Sequence, residues 1–226
     1  MQTPHLDAIY EQEIQAVRTR LARTGARAEQ MVRDSVRALL ARNPALARQV
    51  MATDRELNQL ELELDYECVV LLARRSPVGE DLRLVLTALK ADVDMERIGD
   101  LAVHVAERTI ELTASPGIEA LPELVELAER SAEHVERAMR ALGEKDGVAA
   151  REVIGYDKQL DILHGDHMRR IIQVAKDHPD QLERALAWSS VSRHLERISD
   201  HACNIAEMVV FLAEGQVVRH GGSRAL

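Results

Sequence analysis

The sequence predicts an all-α protein built as two tandem three-helix bundles, six helices related by internal duplication. Three observations predict it. The segment Met95-Glu96-Arg97-Ile98-Gly99-Asp100-Leu101-Ala102-Val103-His104-Val105-Ala106-Glu107 returns as Leu195-Glu196-Arg197-Ile198-Ser199-Asp200-His201-Ala202-Cys203-Asn204-Ile205-Ala206-Glu207, an ungapped match at a spacing of 100 residues. Apolar residues recur at spacings of three and four, and no stretch alternates long enough to form a strand. Aromatic residues make up 2% of the 226-residue chain and charged residues 30%. The core must therefore be aliphatic, which suits long amphipathic helices.

The first helix is predicted over 7–42, where Tyr10, Ile14, Val17, Leu21, Ala28 and Met31 keep the helical period. Gly25 weakens its middle. Arg18, Arg20, Arg23 and Arg27 make it locally basic, which reads as a solvated face. Asn43-Pro44 ends it, because proline disfavours helix before it and starts a helix well. A second helix follows over 45–74, with Leu57, Leu60, Leu64, Cys68 and Leu71 on one side. Ser76-Pro77-Val78-Gly79 is a tight connection. The third helix, over 80–112, opens with Glu80 and Asp81 at the positive end of its dipole. Ser115-Pro116-Gly117 and Pro122 mark a linker, which sets two units at 1–115 and 116–226.

The second unit repeats the plan, with a helix over 122–142 broken by Gly143 and Gly147, another over 148–176, and a tight connection at Asp177-His178-Pro179-Asp180. The last helix covers 181–213, and the tail after Gly215 reads as frayed. Helices joined by short loops must bury their apolar stripes against one another, so each set of three forms an antiparallel bundle.

Charge and composition narrow the function. A net charge of −9 and a pI of about 5.5 disfavour nucleic-acid binding. No apolar run approaches the roughly 20 residues of a membrane span, and no secretory signal pattern opens the chain. Cys68 and Cys203 make no disulfide framework and read as small buried hydrophobes. A reducing cytoplasmic setting is the expectation. Trp188, the only tryptophan, reads as a core or interface anchor.

The chemistry lies in the carboxylates. At about 100° per residue, Asp92, Glu96, Asp100 and Glu107 share one face of the third helix, opposite Ile98, Leu101, Ala102 and Val105. Glu196, Asp200 and Glu207 likewise oppose Ile198, Ala202 and Ile205. The acids are thus expected at the surface. In an antiparallel hairpin turning at Pro77, residues equidistant from the turn lie side by side. Asp100 then faces Asp54, Glu96 faces Asn58 and Asp92 faces Glu61, with Asp65 on the same stripe. Turning at Pro179, Asp200 faces Asp157, Glu196 faces Asp161 and Ser192 faces His164. Each unit would hold two acid-rich stripes along one groove, which is unfavourable without a cation. Oxygen-rich sites suit Mg²⁺, Mn²⁺, Ca²⁺ or iron, with Zn²⁺ also open. The candidate ligands are Asp54, Asp92, Glu96, Asp100, Asp157, Asp161, Glu196 and Asp200.

Enzymatic readings find less support. A ferritin-like di-iron site needs Glu-x-x-His on two helices, and the sequence has none. Asp161-x-x-His164-x-x-His167 occurs in one copy only, and its histidines read as surface residues. No phosphate-cradling glycine loop is present, and no cysteine–histidine arrangement recurs in both units. A carboxylate-rich metalloenzyme of ferritin type and a metal-free structural module remain as alternatives.

Two stretches carry a resemblance. Ser76-Pro77-Val78-Gly79-Glu80-Asp81-Leu82-Arg83 followed by Asp94-Met95-Glu96-Arg97-Ile98-Gly99-Asp100-Leu101-Ala102, and the later segment from Arg193 to Glu207, resemble the PhoU family of bacterial phosphate-signalling regulators. The similarity runs over nearly the whole chain. It implies two three-helix bundles with Glu/Asp-x-x-x-Asp metal motifs, here on Asp92, Glu96 and Asp100 and on Glu196 and Asp200. Ser192 stands where an acid would extend the second motif. The resemblance further implies a non-enzymatic adaptor between the ATPase subunit of the phosphate ABC importer and a sensor histidine kinase. Such a protein restrains uptake and the phosphate-starvation genes when phosphate is plentiful. It would be cytoplasmic and peripheral to the inner face of the membrane through its partners, and helices this long suit self-association as a homodimer.

Overall fold

Six long helices carry almost all of the chain. The structure, a computed structural model, describes residues 4–114, 116, 117, 119–219 and 222–225. The helices are α1 (Pro4–Leu40), α2 (Pro44–Arg75), α3 (Gly79–Thr113), α4 (Pro122–Glu144), α5 (Gly147–Asp177) and α6 (Leu182–Glu214). A single 3₁₀ turn, Pro179–Gln181, precedes α6. Each lies within a few residues of its predicted span. The linker boundary predicted between Ser115 and Pro116 begins on a residue outside the described ones.

Local chemistry sets the ends. The Asn43 side chain accepts hydrogen bonds from the Ala45 and Leu46 amides, with Pro44 in the first turn of α2. Asp146 accepts from Val148 and Ala149 in the same way at α5. Both caps occupy amides that the helix itself leaves unpaired. One expectation fails at Gly143, which does not break α4. A lone glycine costs only about 1 kcal/mol relative to alanine, and the helix runs on to a left-handed cap at Lys145. The expected frayed tail also differs. Gln216–Arg219 and Gly222–Ala225 pair as a short antiparallel hairpin, Gln216 opposite Ala225. Four-residue strands are too short to show as a period in the sequence.

The helices α1, α2 and α3 pack as one bundle and α4, α5 and α6 as another. The two bundles are not separate bodies. α3 lies along α6 and α1 meets α4, so one apolar core runs through both units. Trp188 is buried in it. The junction carries polar contacts. His201 Nδ1 lies 2.7 Å from Asp94 Oδ1, which also accepts from Asn204 Nδ2 at 3.0 Å. The rings of His104 and His194 stack with centroids 5.2 Å apart. The basic face of α1 is not simply solvated, since Arg20 pairs with Glu63 and Glu67 and Arg27 with Glu56, all on α2. Glu56, Glu63 and Glu67 of α2 face α1, which the sequence of α1 alone cannot show.

Gly99 lets α2 and α3 approach. A Cβ built there would stand 2.2 Å from Leu57 Cδ2, and Leu57 is fully buried. Gly99→Val should therefore destabilise the fold by about 2–3 kcal/mol through overpacking, read as a lower denaturation midpoint at unchanged denaturant slope.

Candidate functional site

The hairpin α2–α3 places five carboxylates within electrostatic reach in the first unit, although among the described residues no three of them hold oxygens within 4.8 Å of one another. Glu61 and Asp65 come from one face of α2, and Asp92, Glu96 and Asp100 from successive turns of α3. Asp92 faces Glu61, as the hairpin register predicts. Its depth is a correction: Asp92 is 1% exposed, not a surface acid. Neither of its oxygens has a hydrogen-bond partner among the described residues. Burial pushes its carboxyl up to about 8, and the neighbouring charges of Glu61, Asp65 and Glu96 add to the effect. Glu61 is raised by burial and then by Asp65. Glu96 is raised by burial and by Asp100. Arg97 gives partial relief, its Nε 3.4 Å from Glu96 and its Nη1 3.3 Å from Asp100.

Asp54 sits two turns from Glu61 on α2. Its Oδ2 accepts from Asn58 Nδ2 at 3.2 Å, while its Oδ1 is buried without a partner. Asp65 lies one turn beyond Glu61, and equidistant pairing about Pro77 did not single it out as a ligand. It is the residue that sequence reasoning underweighted.

The second unit places Asp157 and Asp161 of α5 against Glu196 and Asp200 of α6. One oxygen from each of Asp157, Asp161 and Asp200 lies within 4.8 Å of the other two. Oxygens about 2.0–2.6 Å from a common centre would be spaced in this way. Asp157 is half-buried, and Asp161 and Asp200 are exposed, so this cluster opens to solvent. Although exposed overall, Asp200 is partly desolvated by the helices beside its carboxyl, and this, followed by the charge of Glu196, pushes it up to about 6. Asp157 is raised by burial and Asp161, and Glu196 by burial and Asp161.

The two clusters are equivalent but not identical. Positions in α3 and α6 correspond at a spacing of 100, and those in α2 and α5 at 103. Where Asp92 meets Glu61, Ser192 meets His164, with Ser192 Oγ 2.8 Å from His164 Nδ1. The register predicted this contact. The deep end of the second cluster is thus closed by a neutral hydrogen bond, because burial and then Arg193 lower the His164 pKa. His167 needs correction, since it is fully buried and not a surface residue. It occupies the core position that Leu64 fills in the first unit, and burial takes its pKa down to about 4. Of the two cysteines, Cys68 is buried as expected and Cys203 only partly so.

Comparison with known proteins gives the family. The PhoU domain model matches twice, over residues 21–109 and 124–209, once in each unit. The chain is 36% identical over 227 aligned residues to the phosphate-specific transport system accessory protein PhoU homolog of Pseudomonas putida, covering 99% of this chain and 88% of that one. It is 37% identical to the homolog of the same description from Pseudomonas aeruginosa, covering 97% and 91%. The crystal structure of PhoU from Pseudomonas aeruginosa superimposes with a TM-score of 0.88 at 36% identity, over 91% of this chain and 99% of that one. PhoU from Streptococcus pneumoniae shares the fold, with a TM-score of 0.84 at 23% identity. With both units matched and near-full-length relatives above 30% identity, the chain belongs to the PhoU family.

Proposed function

We propose that this chain regulates phosphate uptake as an accessory protein of a phosphate-specific transport system. In this reading it is a non-enzymatic adaptor between the importer's ATPase subunit and a sensor histidine kinase, restraining import and the starvation response when phosphate is plentiful. Its relatives are described as accessory proteins of that system. No helix among the described residues is long and apolar enough to cross a membrane, so any attachment to the membrane would run through partners. Self-association as a homodimer belongs to the same reading.

Metal binding is the chemical part of the proposal, and one observation carries it. Asp92 is a fully buried acid whose two oxygens lack partners and which faces further carboxylates. An orphaned buried carboxylate is costly when ionised; a proton removes that cost below about pH 8, and a divalent or iron cation removes it for the ionised group. Glu61, Asp65, Asp92, Glu96 and Asp100 would hold it in the first unit, and Asp157, Asp161, Glu196 and Asp200 in the second. All-oxygen ligands favour Mg²⁺, Mn²⁺ or iron over softer ions. The cation would supply positive charge that fixes the facing helices in one arrangement.

Two measurements test the two parts separately. Glu96→Ala with Asp100→Ala should lower the metal content of protein purified without chelator, read by elemental analysis, while helicity stays largely intact. Unchanged metal content sinks the site assignment. Deleting the gene should raise phosphate uptake and starvation-gene output in phosphate-rich medium. Unchanged output sinks the regulatory role whether or not metal binds.

A further inference from the structure

A cavity of about 390 Å³ opens between the two units, walled by α1 and α3 on one side and α4 and α6 on the other. Its volume falls in the range of small-molecule pockets, about 300–1,000 Å³. The floor is apolar, formed by the buried residues Leu21, Leu84, Met139, Leu142 and Leu212. Gly143 stands at its exposed rim. Nothing lies within 4 Å of where a Cβ at Gly143 would stand.

The rim is charged and unevenly matched. Glu29 and Glu136 are both engaged by Arg33. Glu80 is shared between Lys145 and, at 4.0 Å, Arg18. Arg140 has no ion-pair partner among the described residues. The Nε of Arg18 is shut off from solvent with no acceptor. Among the lining residues three cations, Arg18, Arg140 and Lys145, thus face two carboxylates, Glu29 and Glu136, on a chain whose overall charge is −9. The place related to this one by the duplication carries Arg184 for Leu84 and Leu112 for Leu212. There the inter-unit linker closes in, with Gly117 against Arg184 and Glu119 paired with Arg42 at 2.9 Å. A smaller cavity of about 260 Å³ remains there, lined by Leu112, Arg184 and the acids Glu111, Asp180 and Glu183, so the larger cavity with an apolar floor and a cationic rim lies at one end of the molecule.

We propose that this cavity binds a small amphipathic anion. An apolar body would rest on Leu84, Met139 and Leu212, and one carboxylate, sulfonate or phosphate group would meet Arg18 and Arg140. The guanidinium of Arg140, which no carboxylate among the described residues engages, supplies the donors that such a group would take. Because the walls come from both units, occupancy fastens them together and raises the melting temperature by mass action.

The probe is 1-anilinonaphthalene-8-sulfonate, an aromatic anion of suitable size, titrated into the full chain at low ionic strength. Saturable binding of one molecule per chain is expected, displaced by decanoate but not by decanol. Arg18→Gln with Arg140→Gln should weaken the dye and decanoate at least tenfold. Gly143→Leu should weaken both by crowding the mouth of the cavity. Each variant is first checked for cooperative unfolding within a few degrees of the parent. Unsaturable dye uptake, equal displacement by decanol, or unchanged affinity in both variants overturns the proposal. So does dye binding that disappears as the chain self-associates with rising concentration, which would make a second copy the occupant.

Discussion

Asp92→Asn is expected to stabilise the metal-free protein at neutral and alkaline pH while removing metal from the first unit. The sign follows from the direction of the shift. The folded-state carboxyl is pushed from its ordinary 3.8 to about 8, so between those values the folded protein holds a proton that the unfolded chain has lost. Stability from this group is fully present below about pH 4, declines as the pH rises towards 8, and is gone above it. Asparagine is nearly isosteric and neutral throughout. Its advantage over the parent should be small near pH 4 and grow to roughly 2–4 kcal/mol by pH 9, a figure reduced from the full shift to allow for relaxation and water entry. Denaturant titrations in chelator at pH 4, 7 and 9 check this. Adding Mg²⁺ or Mn²⁺ should reverse the ranking, because only the parent gains binding energy. An asparagine variant no more stable than the parent at pH 9 would show that Asp92 finds a partner other than a cation.

Asp161→Ala with Asp200→Ala is expected to produce the opposite pattern, a large loss of binding with almost no change in fold. Both side chains are exposed and both contribute to the oxygen triangle. Removing two of its three corners should weaken cation binding there by about two orders of magnitude, a loss of about 2.7 kcal/mol. Stability should stay within about 0.5 kcal/mol, tending upward as like charges are relieved. Equilibrium dialysis with Mn²⁺ and far-UV circular dichroism read the two effects. Bound ions per chain should fall without vanishing, because the first unit still binds. Combining this pair with Asp92→Asn should remove the remainder. Full stoichiometry in the triple variant would place the metal elsewhere.

The helices and their pairing were legible because both follow from local rules. Periodicity gave six helices, and simple distance from a tight turn brought Asp92 to Glu61, Ser192 to His164, and Asp200 to Asp157. Depth was not legible. The angle of Asp92 around α3 placed it away from Ile98 and Leu101, but an angle does not say what lies over that face. α3 is contacted by α1, α2 and α6 together, and the groove under α2 is closed at the Asp92 level and open near Asp100. His167 escaped for a related reason. Its position on α5 belongs to the core, as Leu64 shows in the other unit, but the residue type argued for the surface. The contacts between α3 and α6 were beyond reach, because the register of two helices not joined by a turn depends on how whole bundles meet.

The contacts along α3 and α6 carry a further consequence. Asp94 meets Asn204, and His194 meets His104, so positions 94 and 104 trade places with their counterparts a hundred residues on. That reciprocity is the mark of an isologous interface, in which one patch is complementary to itself. The molecule is, in effect, a homodimer tied into one polypeptide. The tie frees each side from having to match its own image, so one contact can be an acid with an amide and an imidazole while its mirror is a pair of stacked imidazoles.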